Sequence, residues 1–292
     1  MEHSQDFTVK QLSVLLERMK KRLLVSNHSD QTVRNYLRAV EYLGKYTGKH
    51  PNDTDIDEIT DWLYRMQYHD FKAWRTIKIY VAGLRWYYTH IENNEAFAFK
   101  IPYPKEERDL PVVCSREELF KLFNASLNLK HKVMLMLLYS SGMRRNELLD
   151  LKIEDIDTRD GKRRIRINGG KGHKDRYTVL SDKLLVELRK YFTVYKPGTY
   201  LFNGVRKGEP LSRGGLRHAL TSAIKKSGIK KITLHILRHS FASHALEDGM
   251  NLRTLQDIMG HSSIKTTMVY LHVSDIPLFK AFSPLDKWEA MP

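Results

Sequence analysis

Three prolines fall within eleven residues, Ile101-Pro-Tyr-Pro-Lys-Glu-Glu-Arg-Asp-Leu-Pro111, and no helix continues through such a stretch. Each proline removes an amide donor and pushes the residue before it into extended backbone. The 292-residue chain is therefore expected to fold as two units, 1–100 and 112–292, joined by an extended linker over 101–111. Charge divides at the same place. Residues 1–110 hold 17 of the 49 Lys+Arg and 16 of the 34 Asp+Glu, leaving 32 basic and 18 acidic residues beyond. Of the net charge of +15, the first unit carries +1 and the second +14.

A surplus of this size favours a polyanionic partner, and charge by itself leaves nucleic acid and an anionic membrane both open. One cysteine, Cys114, excludes an internal disulfide framework and a Cys-rich zinc site. No apolar run approaches the roughly 18 residues needed to cross a bilayer. The N-terminal MEHSQDFTVK lacks the apolar core of a signal peptide, so a cytoplasmic location is expected.

The first unit reads as four helices. Leu12, Leu15, Leu16, Met19 and Leu23 recur at three- and four-residue spacing, as do Tyr36, Val40 and Leu43. A third helix is expected near Ile56–Gln67 and a fourth from about Phe71 to Ile91. The second unit is mixed. Ser115-Arg-Glu-Glu118 fits a capping box, Val133–Tyr139 a buried helix ended by Gly142, and Arg144–Leu151 a short helix. Arg164–Ile167 and Arg176–Leu180 read as paired strands around the turn residues Gly169–Gly172, and helical patterns return at Leu234–Leu246 and Leu252–Met259. The expected class is mainly α with a small β-sheet.

Four clusters in the second unit suit the handling of a phosphodiester: Gly142-Met-Arg144-Arg145-Asn-Glu147, Gly170-Lys171-Gly-His173-Lys174-Asp-Arg176, His235-Ile-Leu-Arg238-His239, and Gly260-His261 followed nine positions later by Tyr270. Singly they carry little. An arginine at a helix start is usually a solvated charge, Gly-Lys-Gly occurs in many hairpins, and a tyrosine among Met and Val is more often core than nucleophile. In this order and spacing, however, Arg, Lys, His-x-x-Arg, Gly-His and Tyr resemble the tyrosine recombinase (phage integrase) family, and the resemblance covers essentially the whole chain.

That resemblance implies a helical core-binding domain over 1–100 and an α+β catalytic domain over 112–292. It also implies that Tyr270 attacks a DNA phosphodiester to give a 3′-phosphotyrosyl enzyme. Arg144 and Arg238 then correspond to the phosphate clamp, a role suited to a planar, always-charged guanidinium. His235 corresponds to the general base, Lys171 to the general acid for the 5′-hydroxyl, and His261 to a donor on a non-bridging oxygen. Glu147, three residues after Arg144, reads as a helix or arginine support. Arg145 reads as a solvated or DNA-backbone charge, His239 and His244 as structural, and His173 and Lys174 as candidates for phosphate contact. No metal and no cofactor is implied.

Eight basic residues between Arg159 and Arg176 would meet DNA backbone. The apolar tail Val273–Pro292, with Ile276, Phe279, Phe282 and Trp288, corresponds to the segment that family members donate to a neighbouring protomer. The partners so implied are double-stranded target sites and a homo-tetramer on two duplexes joined through a Holliday junction, with room for accessory DNA-binding proteins and no membrane. Integration or excision of a mobile element and Xer-type dimer resolution are both open. A type IB topoisomerase and a catalytically silent DNA-binding regulator are the alternatives.

Overall fold

A computed structural model describes residues 9–105, 110–169, 175–206 and 208–274. Lys171, His173 and Lys174, part of the expected linker and the tail beyond Ser274 lie outside the described residues. The chain divides into two compact units, Met1–Arg108 and Asp109–Pro292.

In the first unit, α1 (Val9–Val25) turns Leu12, Leu15, Met19 and Leu23 into the core. α2 (Asp30–Thr47) begins at Ser29, whose hydroxyl accepts from the Thr32 amide, and ends at Gly48 in the left-handed region. α3 (Ile56–Tyr68) opens on a capping box between Asp55 and Glu58. α4 (Trp74–His90) lies tightly on α2, because Gly83 faces Tyr36 where a Cβ would come within 2.9 Å of its Cα. α4 starts three residues later than the apolar pattern suggests, since Phe71 takes a φ of +49° that no helix accommodates. A fifth helix, α5 (Glu95–Lys100), follows, its N-terminus capped by the Asn94 side chain. At six residues it is too short for periodicity to reveal.

The second unit opens with α6 (Arg116–Ala125), capped by Ser115 and Glu118. α7 (Leu129–Ser141) is buried along most of its length and stops at Gly142, whose φ is +60°. A Cβ on Gly142 would lie 2.3 Å from a Phe241 ring carbon, so only glycine lets this corner close. α8 (Arg145–Leu149) follows, with Arg144 as its N-cap residue.

A three-stranded antiparallel sheet comes next: β1 (Ile156–Asp157), β2 (Arg164–Ile167) and β3 (Arg176–Val179), in that spatial order. Ile165 pairs with Thr178 and Ile167 with Arg176. Ile165 and Ile167 are buried while Arg164 and Arg166 face outward, which is the two-residue alternation seen in the sequence. β1, only two residues long, carries no such signal. The remaining elements are α9 (Asp182–Tyr195), α10 (Arg213–Ser227), α11 (Leu234–Glu247), α12 (Leu252–Met259), α13 (Ile264–Met268) and a 3-10 turn, Val269–His272.

The larger core of this unit gathers side chains of α6, α7, α9 and α10 with the inward face of the sheet. A second cluster joins Phe241, Ala242, Leu246, Leu255, Met259 and Tyr270. It seats the 3-10 turn against α11, and it fixes where Tyr270 stands. Among the described residues, no helix is long and apolar enough to cross a membrane.

Candidate active site

The centre of the site is the C-terminal end of α12. A helix leaves its last carbonyls without intrahelical partners, and its dipole makes that end negative. Three successive carbonyls here each receive an arginine. Arg176 Nε donates to Ile258 O at 2.8 Å, Arg238 Nη2 to Met259 O at 2.6 Å, and Arg144 Nη2 to Gly260 O at 2.8 Å. Side chains separated by up to 94 residues in sequence are thus gathered on one short backbone segment.

Glu147 ties two of these arginines together. Its carboxylate accepts from Arg176 Nη1 and Nη2 at 2.8 and 2.7 Å, and from Arg144 Nη1 at 2.9 Å and the Arg144 amide at 2.6 Å. Burial alone would raise its pKa, but the hydrogen bonds from Arg176, and then from Arg144, hold it at about 2. The support suggested by its spacing from Arg144 is therefore made, and its strongest partner is Arg176 on β3.

Arg238 is 5% exposed and also donates to Gly142 O. Burial first, and the Arg144 cation next, lower its pKa to about 10, which leaves it protonated at neutral pH. Its Nη2 lies 3.1 Å from His261 Nε2, while His261 Nδ1 lies 2.9 Å from the Thr267 hydroxyl. A guanidinium has no lone pair to offer, so Nε2 accepts and Nδ1 carries the proton to Thr267. Burial, with Arg238, Arg144 and Arg176 close by, depresses the His261 pKa to about 4, so the ring is neutral.

Tyr270 is 3% exposed. Its hydroxyl lies 2.8 Å from His239 Nδ1, and its ring stacks towards His261 with centroids 6.4 Å apart. Burial raises the phenol pKa, and Arg238 and Arg144 oppose that shift. Ser274 pins the turn to α11, its single hydroxyl proton shared between Tyr270 O at 2.7 Å and Ser243 O at 3.2 Å. His235 stands one helical turn before His239, with ring centroids 6.3 Å apart. It is on the solvent side, on the wall of a cleft of about 420 Å³ shared with Arg144, Glu147, Arg166 and Asn168. Partial burial, then Arg238, Arg145 and Arg144, hold its pKa below the ordinary histidine value.

Of the six residues singled out from the sequence, Arg144, His235, Arg238, His261 and Tyr270 thus gather at one place, and Lys171 lies outside the described residues. Thr267 was not singled out, His239 was taken as structural, and Arg176 was grouped with the basic residues that meet DNA backbone, whereas it is 10% exposed and bonded to Glu147 and Ile258 O. His239 carried a visible signal, adjacent to Arg238 and four positions after His235 on one helix. The pairing of Arg176 with Glu147 and Ile258, and the contact of Thr267, carried none, because the partners are distant or beyond a turn.

A helical N-terminal unit and an arginine-lined tyrosine site define the class of fold, and comparison with known proteins gives the family. Residues 114–276 match the phage integrase family, and residues 15–96 match the phage integrase N-terminal SAM-like domain. An integrase/recombinase of Sinorhizobium fredii is 34% identical over 277 residues, covering 94% of this chain and 89% of its own length. The tyrosine recombinase XerA of Pyrococcus horikoshii is 32% identical over 265 residues, covering 90% of each chain. A solved lambda integrase tetramer bound to a Holliday junction shares the fold, with a TM-score of 0.74, 20% identity, and coverage of 94% of this chain and 79% of that one. The chain belongs to the phage integrase family, the tyrosine recombinases.

Proposed function

We propose that this protein is a site-specific DNA recombinase that breaks and rejoins strands through Tyr270. The carrying observation is the convergence of Arg144 and Arg238 on the end of α12 beside Tyr270. A phosphodiester carries one negative charge, and in-line attack builds more on its non-bridging oxygens. Two fixed guanidinium groups stabilise that charge, each preorganised donor contributing about 3 kcal/mol in the transition state. The carbonyls they hold in this state, and the Nε2 that accepts from Arg238, are partners that phosphate oxygens replace. His261 then turns its Nε2 into a donor, with Thr267 O–H supplying the bond to Nδ1.

Attack by Tyr270 forms the 3′-phosphotyrosyl bond and releases a 5′-hydroxyl, which takes its proton from Lys171. Arg176 at the start of β3, five positions after Lys171 in the sequence, is held by Glu147 and Ile258 O. His235, on the cleft wall, faces the phosphate side. The bond energy is kept in the protein link, so a second 5′-hydroxyl reverses the step without ATP.

A second cleft, of about 490 Å³, is lined by Arg145, Arg213, Arg217, Lys231 and His235. It continues the positive surface beyond the clamp and suits a DNA backbone. The protein acts in the cytoplasm as a tetramer on two duplexes, passing through a Holliday junction, with the tail after Ser274 exchanged between protomers and accessory DNA-binding proteins setting direction. The lambda integrase tetramer on its junction supports that assembly, and the cellular role is integration or excision of a mobile element or Xer-type dimer resolution.

The test is covalent capture. The protein is incubated with a library of nicked duplexes of randomised core sequence, and DNA retained in a detergent-resistant adduct is recovered. An adduct that enriches one sequence, and that disappears in Tyr270→Phe, is the expected outcome; an undiminished adduct in that variant refutes the assignment. Exchange between two recovered sites then separates recombination from relaxation of a site-free plasmid.

A further inference from the structure

The base for Tyr270 is open to assignment, because two histidines stand one turn apart on α11 and one of them meets the Tyr270 hydroxyl. His235 and His239 are one turn apart with Arg238 beside them, as a four-residue spacing requires. Their surroundings differ. His235 reaches the solvent-side clefts, its ring centroid 6.3 Å from that of His239. His239 is turned inward, and its Nδ1 sits 2.8 Å from the hydroxyl oxygen that must attack phosphorus. That separation lies within hydrogen-bond reach of the proton to be removed, the first requirement for a general base.

Building on the phosphotyrosine reading, we propose that His239, rather than His235, takes the phenolic proton of Tyr270 as its oxygen attacks the DNA phosphorus. In this arrangement Tyr270 O–H donates to Nδ1 and the imidazole proton resides on Nε2. During attack the O–H bond breaks and its proton moves to Nδ1, giving imidazolium. The oxygen forms the new P–O bond, the bond from phosphorus to the 5′-oxygen breaks, and that oxygen is protonated by Lys171. Religation runs the same transfers backwards, with the His239 imidazolium returning its proton to the departing phenolate.

Three observations support this choice. The contact is made to the reacting atom itself. Burial first, then His235 and Arg238, lower the His239 pKa to about 4, so the ring is neutral and a nitrogen is free to accept, and its basicity rises as negative charge builds on the phosphoryl oxygens. The turn bearing Tyr270 is also fixed to α11 through Ser274 and Ser243, so the pair is held by backbone as well as by its own hydrogen bond. The charge that accumulates on the phosphoryl oxygens favours the imidazolium when it forms. His235 is left on the phosphate side of the clamp, where its exposed ring meets the clefts.

The experiment separates a base from a support by altering the acidity of the nucleophile. Single-turnover adduct formation is measured on the duplex recovered by covalent capture, with Tyr270 either natural or replaced site-specifically by a trifluorinated tyrosine that ionises near neutral pH. His239→Gln is expected to slow the natural chain by about 10²- to 10⁴-fold, with DNA affinity changed less than about twofold. The fluorinated phenol needs little help to ionise, so most of that deficit should vanish with it, while a deficit from His235→Gln should persist. A wild-type rate in His239→Gln overturns the proposal, as does a deficit the fluorinated phenol leaves untouched.

Should His239→Gln fail to fold, the full-length wild-type protein labelled with ¹⁵N-histidine gives an independent reading. The histidine signal that moves on Tyr270→Phe and is still present in His261→Asn must show an unprotonated Nδ1, and a protonated one overturns the proposal. Absence of any adduct from the wild-type chain refutes the phosphotyrosine reading and this inference together. An adduct formed equally by His239→Gln refutes this inference and leaves that reading intact.

Discussion

Arg176 grips Glu147 through two parallel hydrogen bonds of 2.8 and 2.7 Å, and each side chain is only 10% exposed. The same carboxylate also holds Arg144, so one buried anion sets two cations. A buried pair of this kind adds little over an apolar substitute, but removing one member leaves the other uncompensated. Glu147→Ala sets the Arg144 and Arg176 guanidinium groups facing each other without a carboxylate, and is expected to cost about 3–5 kcal/mol of stability. Arg176→Lys keeps the charge and loses the planar fork, so it should fold less stably and slow adduct formation. Denaturant unfolding and single-turnover cleavage on the captured duplex check both. A wild-type midpoint for Glu147→Ala would show that solvent, and not this carboxylate, screens the arginines.

Acid should weaken the second unit in two stages. His239 and His261 have pKa values of about 4 when folded, against roughly 6.5 in an unfolded chain. A depressed folded value means that unfolding takes up protons below 6.5, so their contribution is present above that pH and lost as pH falls towards 4. Each adds at most about 1.4 kcal/mol per pH unit to the slope. His131, His235 and His244 are shifted in the same direction and reinforce the sign. Glu147, at about 2 when folded, contributes roughly 3 kcal/mol that persists above pH 4.5 and disappears only as pH falls through 2. The melting temperature should therefore be level above pH 7, decline from 6.5 and decline further below 4.5, with His261→Asn flattening the upper limb. A melting temperature that rises from pH 7 to 5 contradicts this.

The second cleft makes a separable prediction about DNA. Arg217 and Lys231 line it together with Arg145 and Arg213, away from the Glu147 network. If they neutralise phosphates, Arg217→Ala and Lys231→Ala should each weaken binding similarly across DNA sequences and reduce the slope of log K against log salt by about one. Fluorescence anisotropy on the captured duplex and on an unrelated one, across a salt series, measures this. A slope identical to wild type would remove these residues from the DNA surface.

Much of this arrangement is legible in the sequence, and what is not has identifiable physical causes. Helices with a strong apolar stripe or a capping box, such as those begun by Asp55 and Ser115, follow from local spacing, and so do β2 and β3. α5 and β1 escape because six and two residues are too few for a period to show. The family motif leads to Arg144, His235, Arg238, His261 and Tyr270, since each belongs to a recognisable local pattern. Arg176 stays hidden because its role lies in contacts to Glu147 and to Ile258, 29 and 82 residues away. His239 conceals its contact with Tyr270 for a different reason. Its spacing on α11 is visible, but its orientation towards Tyr270 depends on how Ser274 and the apolar cluster around Met259 seat the last turn.

Thr267 shows how a buried hydroxyl governs a neighbouring ring. It is fully buried on α13, three residues before Tyr270, and its Oγ1 lies 2.9 Å from His261 Nδ1. While Arg238 donates to Nε2, Thr267 accepts from Nδ1; in the phosphate-bound state proposed above the imidazole takes its other tautomer, the proton leaving Nδ1 and one arriving at Nε2 by exchange with water, and the hydroxyl rotates to donate to Nδ1. Thr267→Val keeps the shape and removes both options, leaving Nδ1 buried without a partner at a cost of about 1–3 kcal/mol. It is expected to slow adduct formation by roughly tenfold or more, as loss of one positioned donor does, with DNA affinity little changed. Thr267→Ser retains the hydroxyl and should recover most of the rate at somewhat lower stability, because its methyl group leaves a small cavity. Parallel single-turnover assays and thermal melts of the two variants separate the hydroxyl from the packing. If Thr267→Val cleaves as fast as wild type while Thr267→Ser is slow, the methyl group and not the hydrogen bond is what this position supplies.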